Sequence, residues 1–142
     1  MKKKNNIENY IKLFENLNLE NLNEFDKLLD ENIHFEDPFN KVNGIKNFKR
    51  IFSNTLKNLN DVKFKVSNII SKKNIHIIKW EMTYFAFNKS NSIFGLSEVT
   101  ISENNKIVSH IDYWDSYNNF YIKIPIFGLI FKFVLSIVKK RI

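Results

Sequence analysis

The pattern of apolar and polar positions divides the chain into a helical first part and a second part made of strands. Apolar residues recur at helical spacing over residues 7–17, over about 19–29 and over 45–59, where Gly44 opens the third segment. Between the second and third segments, the stretch NIHFEDPF changes to an alternating period. Pro38 favours extended backbone at Asp37, so a strand is predicted there.

Four later segments alternate or run apolar in the manner of strands, and polar turns such as NKSNS and ENNK separate them. They are DVKFKVSNIIS, NIHIIKWEMTYFAF, IFGLSEVTIS and KIVSHIDYWDS. Helices followed by a run of strands predict an α+β domain, with helices packed on one face of a curved, mostly antiparallel sheet. At 142 residues the chain is expected to form a single domain over residues 1–142.

The tail IPIFGLIFKFVLSIVKKRI is apolar and ends in basic residues, which predicts a C-terminal helix over residues 122–142. Pro125 and Gly128 are expected at a turn near its start. A transmembrane helix needs about 20 apolar residues, which argues against a full span. Two interpretations stay open: burial against the domain or a partner, or an amphipathic helix on a lipid surface with its basic end near the headgroups.

Composition narrows the classes of function. The net charge is +7, but the lysines are scattered or gathered at the ends, MKKK and KKRI, without a nucleic-acid motif, so nucleic-acid binding is not expected. The chain has no cysteine and only three glycines, which excludes disulfides, thiolate chemistry and a glycine-rich phosphate loop. No two of its three histidines have the i, i+4 spacing of a zinc protease, so neither a metal nor a cofactor is expected.

The cysteine content and the N-terminal residues also indicate the cellular compartment. The absence of cysteine is compatible with a reducing compartment, and no apolar segment follows the first lysines as in a signal peptide. A cytoplasmic location is the expectation, with peripheral contact at a membrane surface through the tail as the alternative.

The stretch SHIDYWDS is the first candidate for chemistry. Strand parity places His110, Asp112 and Trp114 on one face, and His110 and Trp114 are poor residues for a solvated face. Asp112 is therefore interpreted as a cavity carboxylate that acts as a general acid or base. The alternatives are that Asp112 is a solvated strand residue and that Asp115 only begins the next segment.

A second candidate set lies in KWEMTYFAF. Parity places Lys79 and Glu81 together, either in the same cavity as Asp112 or as a cross-strand pair on a solvated face. In a shared cavity, burial and a neighbouring cation would set different pKa values for the two acids, as acid/base catalysis requires. The other face of this strand carries Trp80, while Phe85 shares a face with Glu81, so both faces of the strand carry large aromatic side chains. One face can pack against the pocket and the helices and the other against a second copy of the chain, and a homodimer is therefore predicted.

The order of elements, with FEDP ending the first strand after two helices, resembles the nuclear transport factor 2-like superfamily over roughly residues 10–114. That superfamily includes ketosteroid isomerases, limonene epoxide hydrolase and the SnoaL-like polyketide cyclases, and DYWD…P…G resembles a group of SnoaL-like bacterial proteins. The resemblance implies a cone-shaped α+β barrel around an apolar pocket, usually in a homodimer. Such domains serve as small enzymes, as binders of lipophilic ligands or as interaction modules.

The resemblance also assigns roles to individual positions. FEDPF is similar to the general-base motif of the isomerases, which falls on Asp37; the alternative is that this aspartate, before a proline at a strand end, organises the turn. KWE with the later HIDYWD resembles the epoxide hydrolase set, which implies Glu81 and Asp112 as the catalytic acids and Lys79 in place of the arginine between them. The isomerases' oxyanion acid aligns near Ser97. Their catalytic tyrosine aligns near Leu13, one helical turn after Tyr10.

The sequence therefore predicts a SnoaL-like domain that binds a small hydrophobic molecule, with cofactor-free chemistry of the isomerase, cyclase or hydrolase type. Asp112 is the main acid or base, Glu81 and Asp37 are its partners, and Lys79 or His110 tunes their charge. The expected ligand-binding residues are Tyr10, Leu13, Phe35, Trp80, Ser97 and Trp114. The alternative is a non-catalytic ligand-binding or dimeric interaction module, with the C-terminal helix at a membrane.

Overall fold

The computed structural model describes residues 6–124 and 126–140. Residues 1–5, Pro125 and residues 141–142, on which parts of the sequence predictions fall, lie outside the described residues.

Three helices precede most of the sheet: α1 (Asn6–Glu15), α2 (Phe25–Leu28) and α3 (Ile45–Asn58). The prediction of one helix over residues 19–29 is wrong, because only a 3-10 turn and the short α2 form there. Asn18 accepts hydrogen bonds from the backbone of Glu20 and Asn21, and such side-chain bonds compete with helical backbone pairing. The first strand consequently begins at Leu29.

The strands form one curved, open sheet in the order β2-β1-β6-β5-β4-β3. They are β1 (Leu29–Glu36), β2 (Lys41–Asn43), β3 (Asn60–Lys72), β4 (Ile75–Ala86), β5 (Lys89–Ile101) and β6 (Ile107–Trp114). The β1–β6 pair is parallel and the other neighbours are antiparallel. The predicted α+β class with a mostly antiparallel curved sheet is thus confirmed, and only the three-residue β2 lacked a sequence signal.

A cluster of phenylalanine rings joins the helices to the sheet. Phe48 of α3 lies 5.0 Å from Phe25 of α2 and 5.3 Å from Phe35 of β1, measured between ring centroids. Phe14 of α1 lies 5.0 Å from Phe52 of α3. Edge-to-face pairs of this kind contribute about 0.5–1.5 kcal/mol each beyond the burial of their area. The cluster fixes the helices over one end of the sheet.

After β6 the chain turns through α4 (Ser116–Asn119) and a 3-10 turn (Tyr121–Lys123) into α5 (Phe127–Lys139). Asp115 caps α4, because its side chain accepts a hydrogen bond from the backbone N–H of Asn118 at 3.0 Å. The hydrogen bonds from Asn118 lower the pKa of Asp115 below its usual value. Asp115 therefore begins the next segment, as one of the two sequence interpretations held.

The C-terminal helix α5 is shorter than the predicted range of 122–142. It is not buried against its own domain as one interpretation expected, because most of its apolar side chains are exposed, among them Leu129 at 73% and Phe133 at 67%. Across residues 6–124 and 126–140, no helix has both the length and the apolar character needed to cross a bilayer.

Candidate functional site

A cavity of about 750 Å³ lies between the helices and the concave face of the sheet. Its walls are mainly apolar and include Phe14, Phe35, Phe52, Phe64, Ile78 and Met82. Four exposed aromatic side chains, Phe39, Phe85, Phe87 and Phe120, also line the cavity, and we call the opening beside them the mouth. Phe87 is the most exposed of them, at 84%.

One cluster of polar side chains interrupts the apolar wall. Trp80 Nε1 donates a hydrogen bond to Ser97 Oγ at 2.7 Å, and Ser97 in turn donates to Oδ1 of Asp112. His110 Nε2 lies 2.7 Å from the same Oδ1 atom, and Tyr10 Oη lies 2.5 Å from His110 Nδ1. These five side chains form a continuous network with Asp112 at its centre.

Strand register explains why these residues meet. Ser97 of β5 is directly opposite Asp112 of β6, and Phe35 of β1 is opposite His110. Trp80 of β4 is opposite Gly95, which has no side chain, so the indole ring lies across the strand and reaches Ser97. The parallel β1–β6 pair thus places His110 under the helices, next to Tyr10 of α1.

When His110 is neutral, the hydrogen bonds of the network can all run toward Asp112, from Trp80 through Ser97 on one side and from Tyr10 through His110 on the other. Burial, together with the negative charge of Asp112, raises the pKa of Tyr10 well above its ordinary value. Tyr10 is therefore a neutral phenol. Because the carboxylate of Asp112 can only accept, His110 donates to it from Nε2, and in this tautomer of a neutral His110 the Tyr10 hydroxyl donates to Nδ1.

The carboxylate of Asp112 is anchored through one of its two oxygens. Ser97 and His110 both bond to Oδ1, and Oδ2 accepts no hydrogen bond from the residues that the structure describes. The Asp112 side chain is 13% exposed, and no buried polar side-chain atom of the described residues lacks a partner. Oδ2 is therefore accessible, and because Asp112 lines the cavity, it is the oxygen available to a ligand.

The raised pKa of Tyr10 predicts how stability depends on alkaline pH. Unfolded chains ionise at Tyr10 near pH 10 while folded chains keep the proton, so this stabilisation is complete below about pH 10 and is lost as the pH rises through the folded-state pKa. We expect the free energy of unfolding of Tyr10→Phe to fall less steeply above pH 10 than that of the unaltered chain. Urea unfolding between pH 8 and 11 measures this difference.

The control for that experiment is Phe14→Leu, one turn along α1, which removes packing but no ionisable group. It should lower the free energy of unfolding by a similar amount at every pH. A Tyr10→Phe curve that runs parallel to that of the unaltered chain up to pH 11 would contradict the assignment.

The structure brings together only part of the residue set that the sequence predicted. Asp112, His110, Ser97, Tyr10 and Trp80 form the network described above. Phe35 and Trp114 also line the cavity.

Asp37 lies at the mouth, but its carboxylate accepts hydrogen bonds from the backbone N–H groups of Phe39 and Asn40. It organises the turn between β1 and β2, which is the usual role of an aspartate before proline at a strand end. Among the carboxylates of the described cavity lining, Asp112 is the one that belongs to the network.

Three predicted site residues do not reach the cavity. The expectation that Lys79 and Glu81 face it is wrong, because on β4 the alternate positions Trp80 and Met82 line it instead. Glu81 accepts a hydrogen bond from Ser92 on β5, and Lys79 is exposed. The prediction of Leu13 as a ligand-binding residue is also wrong, because Leu13 is buried in the hydrophobic core, at 6% exposure, and does not line the cavity.

Phe85 and Phe87 do not follow Glu81, with which strand parity groups them. Both line the cavity near its mouth, because β4 ends at Ala86 and the chain turns there. Phe87 and Asn88 have φ angles of 54° and 59°, as a tight hairpin turn requires.

Sequence reasoning missed Tyr84 as a functional candidate. Tyr84 is 7% exposed, lines the cavity on the same side of β4 as Trp80, and makes no hydrogen bond from its hydroxyl to any described residue. Burial raises its pKa, so the hydroxyl is a neutral donor. Strand parity with Trp80 was the signal that could have found it.

The fold and the cavity define an α+β domain of the cone-shaped class, with one polar network inside an apolar pocket. A family model described as SnoaL-like domain matches residues 10–110, and the chain therefore belongs to the SnoaL-like domain family. That family and its structural neighbours include isomerases, cyclases, epoxide hydrolases and ligand binders.

Solved structures of low sequence identity share the fold. An NTF2-like protein of unknown function from Exiguobacterium sp. 255-15 is 15% identical, with a TM-score of 0.68, and the match covers 78% of this chain and 98% of that one. An LEH-like epoxide hydrolase from M. tuberculosis is 14% identical, with a TM-score of 0.66 and coverage of 81% and 79%.

A protein with a ketosteroid isomerase-like fold from Catenulispora acidiphila, solved in complex with trimethylamine, is 10% identical, with a TM-score of 0.69 and coverage of 82% and 89%. At these identities the likeness shows the fold alone. A comparison with curated proteins gave no match.

Proposed function

We propose that the cavity binds a small hydrophobic molecule and that Asp112 moves a proton on that molecule without a cofactor. The observation that carries this proposal is a single networked carboxylate that opens into an otherwise apolar cavity, with one oxygen held by Ser97 and His110. A positioned carboxylate with a free oxygen is suited to general acid or base catalysis.

The chemistry follows from the positions of the other polar groups. Hydrogen bonds to Oδ1 hold the Asp112 side chain in one orientation, so Oδ2 is placed to accept a proton from carbon or from a water molecule. Tyr84 supplies a neutral hydroxyl to a substrate oxygen on which charge develops. The reaction class is therefore proton abstraction beside a carbonyl or activation of water against a carbon–oxygen bond, as in an isomerase, a cyclase or a hydrolase.

A non-catalytic ligand-binding module is the second candidate, and it is compatible with a homodimer. The outer face of the sheet carries Phe94 at 61% exposure and Tyr113 at 57%, next to Leu96 at 44%. Leu96 and Tyr113 are directly opposite each other on β5 and β6, so the three side chains form one apolar patch. We propose that a second copy of the chain covers this patch.

Binding of a lipophilic probe tests the ligand-binding part of the proposal. Trp80 and Trp114 are the two tryptophans of the chain, and both line the cavity. We expect N-phenyl-1-naphthylamine to bind with an increase in its own emission and a quenching of tryptophan emission. Val66→Phe, which places a larger side chain at a cavity-lining position of β3, should weaken binding about tenfold, or about 1.4 kcal/mol.

The matched control is Ile70→Phe on the same strand, where Ile70 is 64% exposed and does not line the cavity. It should bind the probe as the unaltered chain does. Equal weakening by both substitutions, or probe binding without tryptophan quenching, would place the probe outside the cavity and sink the proposal.

A further inference from the structure

The C-terminal helix α5 carries an exposed apolar face that its own domain leaves uncovered. Gly128, Phe131 and Leu135 lie on the side that packs toward the rest of the chain. The rest of the helix surface exposes seven apolar side chains: Phe127, Leu129, Ile130, Phe133, Val134, Ile137 and Val138. Exposed apolar patches of this kind mark contact sites for proteins or membranes.

Basic side chains border this face. Lys132 and Lys139 lie two helical turns apart on one flank of α5, and Lys140 follows at its end. The sequence contains no acidic residue after Asp115, whereas Lys123 and Arg141 add to the positive charge of the segment. An apolar helix face with lysines along its edge fits a surface of acyl chains and anionic headgroups.

The same charges argue against a second copy of this helix as the partner. In a symmetric dimer the same patch meets itself, so the lysines of one copy would approach those of the other. No acidic side chain follows Asp115 in the sequence to pair with them, and the whole chain carries a net charge of +7. An anionic surface relieves this repulsion, whereas a second positive copy increases it.

Aromatic contacts connect α5 to the mouth of the cavity. Phe131 of α5 lies 5.6 Å from Tyr121, and Tyr121 lies 5.9 Å from Phe39 at the mouth. Phe39 also lies 5.0 Å from Phe120, another residue at the mouth, measured between ring centroids. Lys123 and Ile124, which lead into α5, line the cavity themselves. The helix is therefore continuous with one side of the opening.

The start of α5 is packed tightly against the preceding turn. A Cβ atom added to Gly128 would lie 2.5 Å from the backbone oxygen of Ile122, so only glycine permits this approach. Since backbone atoms cannot move aside as a side chain can, the contact fixes the direction of α5 relative to the mouth.

We propose that α5 docks this protein on a membrane surface containing anionic lipids, with the mouth of the cavity facing the bilayer. The apolar face enters the acyl-chain boundary and the flanking lysines contact the headgroups. The exposed residues at the mouth, Phe39, Phe87 and Phe120, then lie at the lipid surface. This orientation would give the ligand of the proposed function access from the bilayer, and that one consequence rests on the proposed function.

Vesicle flotation of the full chain tests the docking. We expect binding to vesicles of phosphatidylcholine with about a third phosphatidylglycerol, weaker binding at high salt, and little binding to phosphatidylcholine alone. The double substitution Phe133→Ser with Ile137→Ser should reduce binding at least tenfold. The control Ile70→Ser replaces an apolar residue near the far end of β3 that is 64% exposed, close to the 67% of Phe133, and should bind as the unaltered chain does.

The orientation of the mouth is tested with site-specific labels, since the chain contains no cysteine. An environment-sensitive dye on Phe87→Cys should shift to the blue and brighten on anionic vesicles, whereas the same dye on Ile70→Cys should not. Equal responses from both labels overturn the proposed orientation.

Two further results would overturn the docking itself. The first is equal flotation of the α5 double variant and the unaltered chain. The second is no flotation together with a change from dimer to monomer in the α5 variant during sedimentation without lipid, which would assign the face to a second copy. Probe binding measured through Trp80 and Trp114 without lipid is independent of these results, so failure of the docking and failure of ligand binding are distinguishable.

Discussion

Asp112→Asn is expected to abolish proton transfer in the cavity while the fold stays intact. The asparagine keeps an oxygen that accepts the hydrogen bonds from Ser97 and His110, but it has no basic oxygen for a substrate proton. A positioned general base contributes about 10²–10⁴-fold to a rate. We therefore expect a fall of about that size in the rate of any proton abstraction that this cavity catalyses.

A substrate of known chemistry makes the experiment possible before the natural substrate is identified. In 5-nitrobenzisoxazole, a base removes the one proton on the carbon next to the ring nitrogen, the nitrogen–oxygen bond breaks, and a coloured cyano-nitrophenolate is released. The molecule is small, flat and mainly apolar, and thus suits a cavity of about 750 Å³. Absorbance of the product gives the rate directly, and the unaltered chain should exceed the buffer rate.

Asp37→Asn is the matched control for Asp112→Asn. It removes the other carboxylate that lines the described cavity, which lies at the mouth and bonds to the turn between β1 and β2. Asp37→Asn should keep the rate of the unaltered chain, and circular dichroism should show that both variants are folded. Equal rates for Asp112→Asn and the unaltered chain remove Asp112 as the base and favour the non-catalytic candidate.

The fold could be predicted because its signals are local. Apolar residues at helical spacing marked α1 and α3, and alternating strands with polar turns marked β3 to β6. The second helix was mispredicted because the asparagines at positions 18 and 21 hold the backbone in a turn, a preference that apolar spacing does not reveal. The parallel pairing of β1 with β6 joins residues far apart in sequence and left no local signal.

The site was harder to predict because two strands follow opposite rules. On β4 the charged face, with Lys79 and Glu81, points away from the cavity, as hydrophobic patterning alone would suggest. On β6 the polar face, with His110 and Asp112, points inward, while Ile111 and Tyr113 face the other way. Local rules are expected to fail at functional sites, and β6 is where they fail here.

The partner of His110 could not be found from sequence spacing at all. Tyr10 lies 100 residues earlier in the chain, and only the packing of α1 on the sheet brings its hydroxyl to Nδ1. Trp80 was expected at the cavity as a ligand contact, but its hydrogen bond to Ser97 depends on the absence of a side chain at Gly95. A side chain added at Gly95 is therefore expected to have a large effect on both stability and the site.

Gly95→Ala is expected to destabilise the protein by about 1–3 kcal/mol, the usual cost of an added methyl group in a tightly packed site. The new Cβ atom would lie 2.6 Å from Cη2 and 2.8 Å from Cε2 of Trp80, which the indole ring cannot tolerate without moving. The ring would have to leave β5, lose its hydrogen bond to Ser97 and enter the cavity. Ligand affinity should therefore fall together with stability.

The sign of the change in stability is the decisive observation. Gly95 is not one of the residues with a positive φ angle, so alanine would restrict only the unfolded chain and would stabilise the protein by about 0.4–1 kcal/mol if the site were open. Urea unfolding of Gly95→Ala should instead show destabilisation, because overpacking against Trp80 is the larger effect. Ile70→Ala, at an exposed position of β3 outside the cavity lining, serves as the control.

The double variant Gly95→Ala with Trp80→Leu separates overpacking against the indole ring from the stabilising effect of alanine on the unfolded chain. With the indole removed, the added methyl group meets no ring, and Gly95→Ala should become neutral or stabilising relative to Trp80→Leu alone. If Gly95→Ala destabilises equally in both backgrounds, the ring of Trp80 does not lie over β5. In that case the hydrogen bond that orients Ser97 toward Asp112 has another origin, and Gly95 has no part in shaping the site.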